Sequence, residues 1–214
     1  ARMSKAASRP GAVRTRGRTP LYVSLGIIAL VIIAAFAYAS HVPPTATLAP
    51  TLAKISVGQR APEFAVTTSA GPFNLAHDAG KPTLLEVFAT WCPHCQHETA
   101  TLNALYRQFA GRVNLEAVSG NAAGMDGVSP ETEADVAAFA QRFSVAYPVA
   151  FDPTLGVAKT YLQGGYPTLV LIGADGRIQS INSGEIPEAS LAGALDASLA
   201  GRTPNPTFGQ PRAS

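Results

Sequence analysis

The amino-acid sequence predicts an α/β domain with a mixed central sheet flanked by helices, preceded by one N-terminal transmembrane helix. Two observations predict the sheet: strand-like and helix-like segments alternate between residues 58 and 162, and two further strands followed by a helix complete the pattern up to residue 200. A third observation predicts the transmembrane helix, because residues 21–39 contain no charged side chain.

The chain begins with a basic segment, residues 1–20, which holds six Lys or Arg residues and no acid. We expect a disordered tail on the cytoplasmic side of the membrane. Residues 21–39 follow and span about 28 Å as a helix, close to the thickness of a bilayer core. Tyr22 and Tyr38 suit its two interfaces. The positive-inside rule predicts a single-pass protein of the cell (inner) membrane with everything after residue 40 outside the cytoplasm, in the periplasmic or extracytoplasmic space.

A cleavable signal peptide is the alternative to this signal-anchor helix. Residues 37–39 read Ala-Tyr-Ala, a pattern typical of a cleavage site, so processing after Ala39 stays open. The apolar run is longer than the usual hydrophobic region of a signal peptide, which favours a retained anchor. Residues 40–57 contain three prolines among Thr and Ala, and this composition predicts an extended linker.

The net charge of +2 conceals an asymmetry. The first 62 residues hold eight Lys or Arg and no acid, whereas residues 63–214 hold eight Lys or Arg against fourteen Asp or Glu. The positive charge therefore belongs to the tail and linker, and it gives no argument for binding nucleic acid.

The globular part is predicted to occupy residues 58–200. Its strands are short runs rich in β-branched and aromatic residues, and its helices carry an apolar stripe. The predicted strands are residues 62–67, 72–75, 83–90, 113–119, 148–151, 168–172 and 177–182. The predicted helices are residues 93–109, 130–143, 153–161 and 187–199. Residues 201–214, rich in Gly, Pro and Thr, are predicted to be a flexible C-terminal tail.

The only two cysteines of the chain, Cys92 and Cys95, lie three positions apart in the run Trp-Cys-Pro-His-Cys. This spacing in the first turn of a helix suits both a dithiol and a disulfide. Pro93 is favoured at the first helical position, which places Cys92 at the helix N-terminus, where the thiolate is stabilised. The pair therefore predicts redox chemistry, with Cys92 as the attacking nucleophile and Cys95 as the resolving thiol.

Metal binding is the competing interpretation of the same residues. A structural zinc site needs four ligands, often from two cysteine pairs, and no second pair exists. His94 and His97 add two imidazoles, and two thiolates with one imidazole form a ligand set suited to Cu(I). A copper-binding metallochaperone thus remains an alternative function.

Three segments carry a family resemblance: Leu-Leu-Glu-Val-Phe-Ala-Thr-Trp-Cys-Pro-His-Cys at residues 84–95, Gly-Tyr-Pro-Thr at 165–168, and Gly-Gln-Arg-Ala-Pro-Glu-Phe at 58–64. In these segments the chain resembles the thioredoxin superfamily, and within it the membrane-anchored TlpA/ResA-like thiol-disulfide oxidoreductases with their redoxin (AhpC/TSA-like) domain. The resemblance covers residues 58–200. It implies a thioredoxin-like fold with an N-terminal β extension and a central αβ insertion around residues 120–162.

The resemblance also implies site residues. Pro167 matches the family's cis-proline, which presents the Tyr166 backbone to an extended substrate, whereas a trans proline at a strand start is the alternative. Glu86 matches the buried acid that moves the proton of Cys95; its position in an apolar strand predicts a raised pKa, unless it lies at an edge and reaches solvent. The implied catalytic set is Cys92, Cys95, Glu86 and Pro167. The implied substrate-binding set is Trp91, Pro93, His94, Tyr166 and Thr168.

For function, the resemblance implies a reductant of apoproteins, including apocytochrome c during cytochrome c biogenesis and copper-site cysteines. The implied partners are protein thiols and disulfides outside the cytoplasm, a membrane thiol-disulfide electron donor or acceptor, and the lipid bilayer through residues 21–39. No nucleic acid, no metal and no cofactor besides the Cys92-Cys95 disulfide is expected.

Two other activities compete with this one. The Pro-His dipeptide resembles that of oxidising members of the superfamily, because a His94 imidazolium stabilises the Cys92 thiolate and raises the reduction potential. An oxidising, disulfide-forming role therefore stays open. A peroxidase is suggested by Ala-Pro-Glu-Phe at residues 61–64, but Cys92 lacks the Pro-x-x-x-Thr-x-x-Cys setting of peroxidatic cysteines.

Overall fold

The computed structural model describes residues 30–32 and 55–211. Residues 30–32, within the predicted transmembrane segment, are helical and exposed. The rest of that segment, the basic tail and most of the linker lie outside the described residues. In the described part of the chain, no helix has both the length and the apolar character needed to cross a membrane.

Residues 55–211 form one seven-stranded sheet and four helices. The strands are β1 (Ala65–Thr68), β2 (Gly71–Asn74), β3 (Thr83–Phe88), β4 (Asn114–Ser119), β5 (Val149–Phe151), β6 (Thr168–Ile172) and β7 (Ile178–Ser183). The helices are α1 (Pro93–Gln108), α2 (Glu133–Arg142), α3 (Gly156–Tyr161) and α4 (Glu188–Leu199). The strand order is β2-β1-β5-β4-β3-β6-β7. β3, β4 and β5 are parallel and the other pairs antiparallel, so the sheet is mixed, as predicted.

Two apolar layers cover the sheet, one on each face. Helices α1, α2 and α4 pack on one face and α3 packs on the other. Alternation along β3 sends Leu84 and Phe88 into the first layer and Leu85 and Val87 into the second. Glu86 therefore shares the face of Leu84 and Phe88, the face on which both cysteines lie.

The predicted element boundaries differ from the observed ones by a few residues, for local reasons. α2 begins at Glu133 rather than residue 130, because Thr132 caps it in a reciprocal capping box with Asp135. α3 begins at Gly156 rather than residue 153, because the Asp152 carboxylate accepts hydrogen bonds from the amides of Thr154 and Val157 and holds the preceding turn.

The N-terminal β extension is the β1-β2 hairpin, which joins the sheet where Thr68 pairs with Ala150 of β5. Before it, the chain enters the domain along the beginning of β7. The Gly58 amide donates to the Ile178 carbonyl at 2.8 Å and the Ile178 amide donates to the Gln59 carbonyl at 2.9 Å.

The predicted flexible tail requires a correction, because residues 201–211 pack against the domain. The Ile181 amide donates to the Pro206 carbonyl at 2.9 Å, and Asn182 Nδ2 donates to the carbonyls of Thr207 and Pro211. Phe208 is buried in the apolar layer between the sheet and helices α1, α2 and α4, called here the α1-side layer. This segment supplies partners for the open edge of β7, a role that its Gly- and Pro-rich composition does not reveal.

Candidate active site

The cysteine pair lies where β3 passes into α1. Cys92 is the N-cap residue and Pro93 occupies the first turn, so α1 begins where the sequence predicts. The first turn contains no acidic side chain. Both cysteines are free thiols. Cys92 Sγ lies 3.7 Å from the Tyr166 carbonyl oxygen, to which the thiol donates.

Cys95 is fully buried one helical turn further along, behind Cys92. Burial, and after it the charge of Glu86, raises the pKa of the Cys95 thiol far above its ordinary value. Cys95 therefore holds its proton until a base removes it, as a resolving thiol requires.

Glu86 is buried with 2 % of its surface exposed, which excludes the edge position that would let it reach solvent. Burial, and then the neighbouring Glu98 carboxyl, raise the pKa of Glu86 well above its ordinary value, while the Tyr147 hydroxyl opposes them. That hydroxyl donates to Glu86 Oε2 at 3.4 Å, and Oε1 has no hydrogen-bond partner. The raised pKa predicted from the sequence is confirmed; the proton-transfer role of Glu86 stays a prediction.

Glu98 is a second buried acid that the sequence interpretation missed. Its Oε2 accepts from the Ile186 amide at 3.3 Å and its Oε1 is unpaired. Burial raises the pKa of Glu98 to about 7. A signal was present, because extending the apolar stripe of α1 back from Leu102 by four and seven residues reaches Glu98 and Cys95.

The Tyr166-Pro167 peptide bond is cis, as the resemblance implies. Beside it the Trp91 and Tyr166 rings meet edge to face, with centroids 6.1 Å apart. Trp91, at 37 % exposure, and the exposed Pro93 form the accessible apolar surface next to Cys92. These residues and the Tyr166 carbonyl together offer one surface to an extended peptide.

Thr168 requires a correction, because its side chain is fully buried. Its hydroxyl donates to the Gly165 carbonyl at 2.7 Å and accepts from the Gln163 amide at 3.1 Å. Thr168 therefore fixes the loop before Pro167 from within and presents no side chain to a substrate. Threonine hydroxyls commonly form such hydrogen bonds with nearby backbone groups in turns.

A third buried acid, Glu131, ties the central insertion to the ends of β3 and β4. Its Oε1 accepts from Thr90 Oγ1 at 2.9 Å, and its Oε2 accepts from the Ser119 hydroxyl. Burial raises the pKa of Glu131, although the two hydrogen bonds lower it. Close by, the Tyr166 hydroxyl donates to the Gly120 carbonyl at 2.7 Å. The Tyr166 hydroxyl is thus held at the beginning of the insertion, a contact that no local sequence pattern indicated.

His94 is exposed, and its ring contacts Glu185, a residue for which the sequence predicted no role. Its Nδ1 lies 2.6 Å from Glu185 Oε1, and His97 Nδ1 lies 3.5 Å from the same oxygen. The hydrogen bond from His94 lowers the pKa of Glu185, so this carboxyl is ionised at neutral pH. Ninety-one positions separate the two residues, and no spacing rule connects them.

This arrangement suits thiol-disulfide exchange: a thiol at a helix N-terminus that is 5 % exposed, a fully buried thiol behind it, and the buried Glu86 carboxyl, whose charge acts on that second thiol. Among the described residues, no group of three or more His, Cys, Asp or Glu side chains is placed to hold a metal ion. The geometry therefore supplies no observation in favour of the copper-binding alternative.

Comparison with known proteins agrees with the geometry. The family model described as AhpC/TSA family matches residues 57–181. The chain is 31% identical over 143 residues to thioredoxin-like protein YneN of Bacillus subtilis, covering 66% of this chain and 80% of that one. It is 32% identical over 143 residues to thiol-disulfide oxidoreductase ResA of Bacillus cereus, covering 66% and 78%.

Among solved structures, it resembles a putative thiol:disulfide interchange protein DsbE from Chlorobium tepidum. The TM-score is 0.60 at 25% identity, over 68% of this chain and 99% of that one. The predicted thioredoxin-like fold is confirmed.

Proposed function

The chain belongs to the AhpC/TSA family and to the ResA/TlpA-like members of the thioredoxin superfamily, and from that premise we propose that it is a membrane-anchored reductase of protein disulfides outside the cytoplasm. Thiol-disulfide oxidoreductase is the activity of this family type. The direction, the substrate and the membrane location are the parts that we propose.

The exchange has two steps. The Cys92 thiolate attacks one sulfur of a substrate disulfide, which forms a mixed disulfide and releases the other substrate sulfur as a thiolate. Cys95 then loses its proton to Glu86 and attacks Cys92 Sγ, which forms the Cys92-Cys95 disulfide and releases the second substrate thiolate. Two electrons pass from the cysteine pair to the substrate, and the membrane electron donor restores the dithiol.

The position of Cys92 Sγ against the Tyr166 carbonyl, with Cys95 fully buried behind it, is the observation that carries this proposal. A substrate strand that pairs with the Tyr166 backbone brings its sulfur next to Cys92 and leaves Cys95 out of reach. Cys92 is 5 % exposed and Cys95 is not exposed at all, so Cys92 is the thiol nearer to the substrate and the first to attack.

Trapping tests the two assigned roles. In the 214-residue chain held in detergent, C95S should accumulate a mixed disulfide through Cys92 with a disulfide-containing peptide, because no thiol remains to resolve it. Dithiothreitol should release the peptide, and C92S should trap nothing. Equal trapping by C92S, or none by C95S, would contradict the assignment.

The reductive direction is supported by the family resemblance, and candidate substrates are apoproteins such as apocytochrome c or proteins with copper-site cysteines. The midpoint potential of the Cys92-Cys95 couple decides the direction. We expect a value below about −250 mV, nearer thioredoxin than DsbA. A value above about −150 mV would favour the oxidising alternative and overturn the reductive one.

The proposed location rests on residues 21–39, whose charge-free length matches a bilayer, and on the basic flank before them. Fractionation and protease digestion of spheroplasts test it. The redox domain should sediment with membranes and be digested from the outside, whereas a soluble or protected domain would contradict the proposal.

A further inference from the structure

One oxygen of Glu185 faces two imidazoles on the exposed side of α1. Oε1 lies 2.6 Å from His94 Nδ1 and 3.5 Å from His97 Nδ1. The two histidines are three positions apart, so they lie on the same side of the helix. His94 lies between the two cysteines in the sequence. The Glu185 carboxylate that contacts it is therefore close to the redox motif.

The backbone around Glu185 is fixed on both sides. The Gly184 amide donates to the Pro167 carbonyl at 2.8 Å, and the Ile186 amide donates to Glu98 Oε2 at 3.3 Å. Ile186 is buried in the α1-side layer. The carboxylate thus projects from a segment held between the cis-proline loop and α1, which reduces the entropy cost of keeping it beside His94.

We propose that Glu185 is a positioning residue that holds His94 by its Nδ1 and makes the Cys92-Cys95 pair a stronger reductant. The inference rests on the proposed thiol-disulfide exchange and adds a residue that sets its equilibrium. It also reconciles the Pro-His dipeptide, which alone favours an oxidant, with the reductive direction.

The physical reason covers both charge states of His94. When the ring is neutral, its Nδ1-H donates to Glu185, which leaves Nε2 as an acceptor that cannot donate to a Cys92 thiolate. When the ring is protonated, the carboxylate offsets its positive charge. In both states His94 stabilises the thiolate less than a free histidine would, and a less stable reduced form has a lower potential.

The experiment measures the equilibrium constant of the Cys92-Cys95 couple against reduced and oxidised dithiothreitol, using the 214-residue chain in detergent at pH 7. E185Q keeps a hydrogen-bonding group but removes the charge, and E185A removes both. We expect both variants to favour the dithiol form by about three- to tenfold, where tenfold corresponds to about 30 mV for a two-electron couple. High salt should reduce the difference, because the pair is exposed.

Two controls isolate the action through His94. In an H94A background, E185Q should change the equilibrium constant by less than about twofold, the size of a screened charge at this range. H97A is the matched single variant, and it should change the constant less than E185Q does, because its contact with Glu185 is the longer one. Unchanged constants in E185Q and E185A, or an equal effect of E185Q with and without His94, would overturn the inference.

The same measurement separates this inference from the proposed function. If the couple does not exchange with dithiothreitol at all, the thiol-disulfide activity itself fails. If it exchanges normally and Glu185 has no influence, only the role of Glu185 fails.

Discussion

Replacing Glu98 by Gln should make the protein more stable at alkaline pH and change the pH dependence of disulfide exchange. Glu98 is 2 % exposed, and burial raises its pKa to about 7 from an ordinary value of 4.5. At low pH both the folded and the unfolded states carry the proton. As pH rises, the unfolded state ionises first while the folded state keeps its proton, so the free energy of unfolding falls until about pH 7.

The magnitude follows from these two pKa values. Each pH unit between them costs about 1.4 kcal/mol for one group, so Glu98 should remove about 2 to 3 kcal/mol of stability between pH 5 and pH 8. E98Q cannot ionise and should not show this loss. Relative to wild type, the free energy of unfolding of E98Q should therefore increase by about 2 to 3 kcal/mol between pH 5 and pH 8.

Glu116 provides a matched control on the opposite face of the sheet. It is 7 % exposed, its pKa is also raised to about 7 by burial, and the charge of Asp78 adds to the shift. E116Q should gain comparable stability at pH 8. It should leave disulfide exchange unchanged, because Glu98 and not Glu116 raises the pKa of Glu86.

Urea unfolding of the reduced protein at pH 5 and pH 8, together with exchange rates from pH 6 to pH 9, measures both effects. E98Q should move the pH dependence of exchange to lower pH, since the pKa of Glu86 falls when the neighbouring carboxyl is lost. If the free energy of unfolding of E98Q changes with pH as that of wild type does, buried Glu98 is not the cause of the pH-dependent loss of stability. Equal exchange profiles for E98Q and E116Q would refute the coupling to Glu86.

Two further predictions concern the second proton and the C-terminal segment. E86Q should slow the resolving step at least tenfold, because Cys95 loses the carboxyl that takes up its proton; exchange as fast as wild type across pH 6 to 9 would remove this role. F208A should lower the free energy of unfolding by about 3 to 5 kcal/mol, because the ring is 2 % exposed in the core; a loss below about 1 kcal/mol in urea unfolding would contradict the packing of this segment.

Local chemistry explains what the sequence predicts well. β3 is a largely apolar run, and strand alternation alone places Glu86 on the cysteine side of the sheet. The Pro93 signal fixes the start of α1. Each of these inferences depends on residues within a few positions of one another.

Contacts between distant segments explain what the sequence does not predict. The Thr90 hydroxyl and Glu131 are 41 positions apart, and His94 and Glu185 are 91 apart. No sequence spacing identifies either pair, because its two residues come into contact only when the chain folds. The packed segment 201–211 was missed for the opposite reason, since its composition is typical of a tail while its carbonyls satisfy β7.

The place where the chain enters the domain has a consequence for the proposed membrane attachment. Gly58 meets Ile178 at the start of β7, beside Ile172, whereas Thr168, next to the cis-proline, lies at the other end of β6. The attachment point is therefore separated from the redox pair by the length of that strand, about 13 Å. If residues 40–57 are the proposed tether, its point of attachment at Gly58 is remote from the surface around Cys92.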